Sequence, residues 1–183
     1  MNKIAVFLAE GFEEIEALTV ADLCRRAGMK VIMAAVGNTR MVEGSHGICV
    51  KADGLFEDVD FDSLDMLVLP GGMPGTRNLE AHEGLMEQVD RFYNEGKFVA
   101  AICAAPSILG HRGIVKGRRA CCYPGYEEHM DGAEVVYEPA VIDGNVITGR
   151  GMGCAVSFAL AIISHFCGQD KAAELAEAIV YTN

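Results

Sequence analysis

Cys103 sits between the apolar run Phe98-Val99-Ala100-Ala101-Ile102 and a segment that reads as a helix from Pro106. A cysteine at a strand-to-helix joint, with Ala101 and Ala105 two residues to either side, has the layout of a nucleophile elbow. That turn is sharp and needs small neighbours. Pro106 suits a first helical turn, where its missing N–H costs nothing. The helix start would then aim free N–H groups at the sulfur and favour thiolate over thiol. The competing reading is a small buried hydrophobe, the ordinary role of a free cysteine. Two further segments could join such a site. Pro70-Gly71-Gly72 lets backbone approach closely, so the N–H groups of Gly72 and Ala104 could form an oxyanion hole; as a bare tripeptide it is also simply a turn. Glu16 falls on the helical stripe of Val20, Leu23, Cys24 and Ala27, while Ile15, Thr19, Asp22 and Arg26 form a more polar row. A carboxyl on the core-facing stripe is partly buried, which raises its pKa and favours the neutral acid. Such an acid could donate to a sulfur anion or move protons during a reaction. For Glu13 and Glu14, a place in the first helical turn is reason enough for negative charge.

The elements that must position these residues alternate in type. Short apolar runs predict strands at Ile4–Ala9, Val31–Val36, Met66–Leu69 and Val99–Ile102, with later strands at Ala120–Tyr123, Val135–Tyr137 and Val146–Thr148. His46–Lys51 reads as part of an edge hairpin. Helices are expected at Glu13–Ala27, His82–Asn94, Ser107–Leu109, Ala155–Phe166 and Asp170–Tyr181, and Asp143-Gly144-Asn145 carries turn chemistry. This alternation predicts an α/β fold: a mostly parallel sheet with helices on both faces. In such sheets ligands bind beyond the carboxyl ends of the strands. Ala9-Glu10-Gly11, Pro70-Gly71-Gly72 and Cys103 each follow a strand there.

The chain has 183 residues, one domain's worth, and 51% are hydrophobic, which argues against disorder. A net charge of -11 disfavours phosphate neutralisation, so neither a nucleic acid nor an anionic membrane is an expected partner. No segment is apolar for long enough to cross a bilayer, and the N-terminal apolar run is too short for a signal peptide; the expected location is the cytoplasm. The odd count of 7 cysteines points to free thiols rather than a disulfide frame. The five histidines show no metal-ligand spacing, so no metal is expected. Gly149–Gly153 is glycine-rich but lacks dinucleotide-fingerprint spacing.

Four motifs, in order along nearly the whole chain, carry a resemblance. They are Ala9-Glu10-Gly11-Phe12-Glu13-Glu14-Ile15-Glu16, Val68-Leu69-Pro70-Gly71-Gly72, Ala100-Ala101-Ile102-Cys103-Ala104-Ala105-Pro106 and Thr148-Gly149-Arg150-Gly151. With them the chain resembles the ThiJ/PfpI superfamily, most closely the branch of the Parkinsonism-associated protein deglycase and its bacterial relatives. The resemblance implies one flavodoxin-like sandwich over residues 1–183 that forms a homodimer. It implies a nucleophile at Cys103, a protonated acid at Glu16 and backbone donors at Gly72 and Ala104. It further implies cofactor-free conversion of a small dicarbonyl, methylglyoxal to lactate, or deglycation of early glyoxal adducts, and a cysteine that oxidises to sulfinic acid.

Two positions depart from the pattern. Many relatives place a histidine near the nucleophile where this chain has Tyr123; the nearest histidine in sequence is His129. Some relatives bind an anion with two arginines near the dimer interface; here Arg26 matches one and His46 replaces the other, which implies a weaker, pH-sensitive site. The leading expectation is a thiol-dependent glyoxalase or deglycase. The alternatives are a non-enzymatic redox sensor and a cysteine peptidase or amidase, the last disfavoured by Tyr123.

Overall fold

The apolar runs become the inner strands of one sheet. The computed structural model describes residues 2–182. The chain opens with β1 (Lys3–Leu8), α1 (Glu14–Arg26) and β2 (Lys30–Ala35). A small excursion follows: β3 (Met41–Glu43), β4 (Cys49–Lys51) and β5 (Gly54–Leu55). Next come β6 (Met66–Leu69), α2 (Gly75–Glu80), α3 (Glu83–Asn94), β7 (Phe98–Ile102) and α4 (Pro106–His111). The chain closes with β8 (Arg119–Ala120), β9 (Glu134–Val135), β10 (Ala140–Asp143), β11 (Val146–Gly149), α5 (Ala155–Cys167) and α6 (Gln169–Ala178).

Seven strands form the main sheet in the order β10-β11-β7-β6-β1-β2-β5, and only β10 runs antiparallel to its neighbour. The strands β1, β6, β7 and β11 are buried on both faces, so each is mostly apolar rather than alternating, with Lys3 at one end and the buried Thr148 as exceptions. The period of two still divides the core. Ile4, Val6 and Leu8 pack with α1, α5 and α6 on one face, while Ala5, Phe7 and Ala9 pack with α3 and α4 on the other. The structure is therefore a flavodoxin-like, doubly covered α/β sheet.

The strand order has a direct consequence for the site. β7, β6 and β1 are consecutive neighbours and parallel, so their carboxyl ends lie side by side. The turns that follow carry Cys103, Gly71-Gly72 and the approach to α1 with Glu16.

Several sequence expectations change. Residues Ala120–Tyr123 do not form one strand: only Arg119–Ala120 pairs, with Glu134–Val135, in a separate ribbon. Cys121 instead gives its N–H to Thr148 Oγ1 at 2.9 Å, and Tyr123 gives its own to the Cys103 carbonyl at 2.8 Å. The Val135–Tyr137 strand likewise shrinks to Glu134–Val135. The hairpin expected around His46–Lys51 exists, but as a separate two-stranded sheet of β3 and β4, with His46 in its turn. The Asp143-Gly144-Asn145 turn joins β10 to β11, a pairing that the sequence reading did not contain.

Candidate active site

Cys103 occupies the elbow with a left-handed φ of 65°, rare for a residue with a side chain. Its N–H is held by the Gly149 carbonyl at 2.9 Å and its carbonyl by Tyr123, so both neighbouring segments fix the turn. The adjacent Ala104 and Ala105 are buried, and Pro106 opens α4. The N–H groups of Gly72 and Ala104 lie close enough to the sulfur to favour its anion. The two backbone donors singled out in the sequence therefore converge on the expected nucleophile.

Glu16 lies beneath them and is fully buried, on the helix face that its periodicity indicated. Its Oε2 accepts the Gly71 N–H at 2.8 Å. Burial raises the Glu16 pKa from 4.5 to about 7, against opposing hydrogen bonds from Gly71 and Cys103. Oε1 is buried and has no hydrogen-bond partner among the described residues. Gly71 is required for this arrangement. A Cβ there would stand 2.7 Å from the Cys103 Cβ and 2.8 Å from Glu16 Oε2. The sequence reading assigned the role of donor to Gly72 and missed Gly71 as the anchor of Glu16. The Pro-Gly-Gly run was the available signal.

The thiol itself is under opposing influences. Burial, followed by the charge and hydrogen bonding of the Glu16 carboxylate, pushes the Cys103 pKa above its ordinary value; the two amides only partly oppose this. The field of α4, a helix of 6 residues, competes with the carboxyl of Glu16 nearby.

These groups open into a cavity of about 780 Å³. Its walls come from the start of α1, the β3–β4 hairpin, and the segments around Tyr123 and Gly151. Tyr123 lies at the mouth, half exposed, while His129 is elsewhere, against His111. The polar groups on the Cys103 sulfur are Glu16 and two amides; none of them, among the described residues, is a histidine. Arg150, Gly151 and Met152 also line the cavity, which the glycine-rich run after β11 had signalled only as a motif.

Arg26 and His46 are not brought together within the chain. Arg26 bonds Asp22 at 2.6 Å and lines a separate depression with Thr19 and Val156. His46 lines the main cavity with its Nδ1 3.0 Å from Glu14 Oε2 and 3.5 Å from Glu13 Oε2. A ring turned onto two carboxylates is not an anion receptor, so the chain by itself lacks the expected anion pair. The Glu14 carboxylate is held down to about 2: burial pushes it up, but His46 and three backbone N–H bonds outweigh that. Glu13, Glu14 and His46 are also the one set of three donors within 4.8 Å of one another that could hold a metal, among the described residues. No helix among those residues is long and apolar enough to cross a membrane.

The architecture and its elbow place the chain among flavodoxin-like proteins that present a cysteine above the carboxyl edge of a parallel sheet. Comparison narrows this class. The DJ-1/PfpI family model matches residues 2–165, and the chain belongs to that family. Protein DJ-1 homolog A of Arabidopsis thaliana is 37% identical over 177 residues, 96% of this chain but 45% of its own length, so the chain spans about half of that relative. A Pyrococcus abyssi protein named a deglycase is 35% identical over 153 residues, 82% of this chain and 91% of its own. The solved structure of oxidized Toxoplasma gondii DJ-1 superposes with a TM-score of 0.95 at 32% identity, covering 100% of both chains.

Proposed function

We propose that the protein is a cofactor-independent cysteine enzyme acting on small dicarbonyls, with methylglyoxal to lactate as its reaction or deglycation of early glyoxal adducts as a closely related one. The observation that carries this reading is the fully buried Glu16, anchored by the Gly71 N–H at 2.8 Å beside Cys103, with a pKa that burial raises to about 7. A carboxyl poised there is matched to moving protons at neutral pH. The deglycase name of the Pyrococcus relative supports the same reading.

The chemistry then follows from this chain's residues. Glu16 takes the thiol proton as the Cys103 sulfur bonds to the aldehyde carbon. The carbonyl oxygen gathers negative charge, and the Gly72 and Ala104 N–H groups lie beside the sulfur where they can stabilise it. The hemithioacetal oxygen is protonated by Glu16. Glu16 then carries a proton from the former aldehyde carbon to its neighbour through an enediol, leaving a lactoyl thioester on Cys103. Water cleaves the thioester, releasing lactate and restoring the thiol. One water is consumed and no electrons are exchanged with an outside reagent. Tyr123 stands at the cavity mouth, where it orients substrate rather than replacing a histidine base.

A second reading rests on the same donors. A sulfinate at Cys103 would receive the amides of Gly72 and Ala104 and the acid proton of Glu16, a ready-made cradle for that stable oxidation state. On that reading the protein senses oxidants without turnover. A homodimer accords with the apolar residues Ile15, Ile48 and Met152, which are about half exposed around the cavity mouth. A peptidase reading lacks its base, since no histidine bonds Cys103 among the described residues.

The deciding assay is lactate formation from methylglyoxal without glutathione, comparing wild type with Cys103→Ser. Lactate from wild type alone upholds the enzyme. Equal lactate from the variant refutes it. No lactate from either, together with a Cys103 sulfinate after mild peroxide, selects the sensor.

A further inference from the structure

His111 and His129 form a second cluster, outside the cavity lining and unused by the proposed chemistry. His111 ends α4 and His129 lies in the loop before β9. Their rings meet edge to face, with His111 Nε2 3.1 Å from His129 Nδ1. Carboxylates stand at the outer nitrogens. Glu80, at the end of α2, holds His111 Nδ1 at 2.6 Å, and Glu128 Oε1 lies 3.9 Å from His129 Nε2. The approach is built into the backbone. A Cβ at Gly110 would collide with the His129 carbonyl oxygen, so glycine there is what allows α4 to reach the histidine loop.

We propose that His111 and His129 form a two-histidine site for a late first-row divalent metal ion of the zinc class, with Glu80 orienting His111 from behind. The chemistry of the donors points this way. Glu80 accepts a hydrogen bond from His111 Nδ1–H, which fixes the tautomer and leaves the Nε2 lone pair on the side of His129. A carboxylate behind an imidazole is the usual support of a metal-bound histidine. The separation also fits. Two nitrogens each about 2.0–2.1 Å from one ion stand roughly 2.9 Å apart at a right angle and roughly 3.3 Å apart at the tetrahedral angle. The observed 3.1 Å lies between these values. Without metal, His129 Nδ1–H donates to His111 Nε2. With metal, the His129 proton moves through solvent to Nε2, on the Glu128 side, and the two rings turn so that both lone pairs converge on an ion beside the N–N line. No net proton is released from the two neutral rings. Both side chains are about two-fifths exposed, which leaves room for water to complete the coordination. The bound ion would tie α4, which starts just behind Cys103, to the loop that follows Tyr123.

The test is a zinc titration of the full-length, reduced, ¹⁵N-labelled protein, read by the ring-nitrogen shifts of each histidine. The expected result is early, saturable movement of His111 Nε2 and His129 Nδ1. His111→Gln and His129→Gln should each weaken this binding tenfold or more, and the double variant should lose little beyond either single one. Glu80→Gln should weaken it by about tenfold, the usual scale for an orienting carboxylate. Zinc should also raise the Tm of wild type and leave that of His129→Gln unmoved, since only the folded site binds the ion. The proposal is overturned if His111 and His129 stay still under excess zinc. It is equally overturned if the first shifts fall on His46, if the ion goes only to thiols, or if either glutamine variant binds as wild type does. None of these readouts depends on turnover at Cys103.

Discussion

Replacing Glu16 by glutamine should abolish the downward slope of stability between acid and neutral pH that this residue imposes. The folded protein raises the Glu16 pKa from 4.5 to about 7. The native state therefore holds a proton that the unfolded chain has released, over that interval. Stability is full below the unfolded value and falls as the pH rises through the folded one. At about 1.4 kcal/mol per tenfold change in proton affinity, the loss amounts to about 3 kcal/mol once Glu16 is ionised. Glutamine keeps the shape, can accept from Gly71 and can donate to the sulfur, but it never ionises. The difference in unfolding free energy, Glu16→Gln minus wild type, should thus move in favour of the variant by about 3 kcal/mol from pH 4 to pH 8. Urea unfolding of both proteins in the same buffers measures it, and subtraction removes every other titrating group. Parallel curves would mean that Glu16 is ionised or solvated throughout, and the burial argument for its role would fail.

Other expectations follow from the same geometry. Gly71→Ala should displace Glu16 or Cys103, because its Cβ would press on both; lactate formation should fall by tenfold or more while far-UV circular dichroism stays native. Tyr123→Phe should retain most activity, whereas Cys103→Ser and Glu16→Gln should leave none; comparable loss in Tyr123→Phe would make the hydroxyl a proton donor. Glu14→Gln should destabilise the protein at pH 7, and that gap should close as pH falls from 4.5 towards about 2, where the wild-type carboxylate also loses its charge. Sedimentation at micromolar concentration should give twice 19.6 kDa, and Ile15→Asp should shift it towards the monomer.

The parts of the site that obey one local rule were legible in the chain. Glu16 follows from helical periodicity, Cys103 from small residues around a strand–helix joint, and their meeting from the rule that ligands sit beyond strand ends. The buried strands were legible because apolar runs of four to six residues cannot be surface structure here. Elements set by tertiary partners were not. Cys121 and Cys122 look like strand residues, yet Cys121 spends its N–H on the Thr148 hydroxyl, 27 positions away. α2 begins with Gly75-Thr76, a weak helix start, and β10 exists through pairing with β11. The opposing influence on the thiol was hidden for a similar reason. A helix start is visible in sequence, whereas a carboxylate delivered to the sulfur from α1 is not. His46 has no local clue that its ring turns towards Glu14 rather than outwards.

The most direct test of the central claim is to catch the intermediate on the cysteine. Acid quenching during turnover of methylglyoxal, followed by peptide mass spectrometry, should find a lactoyl group on the peptide that contains Cys103. That group should be absent in Cys103→Ser, and Glu16→Gln should accumulate at most the unrearranged hemithioacetal. Lactate production with the adduct on another cysteine, or with no adduct while Cys103→Ser stays active, would contradict the account.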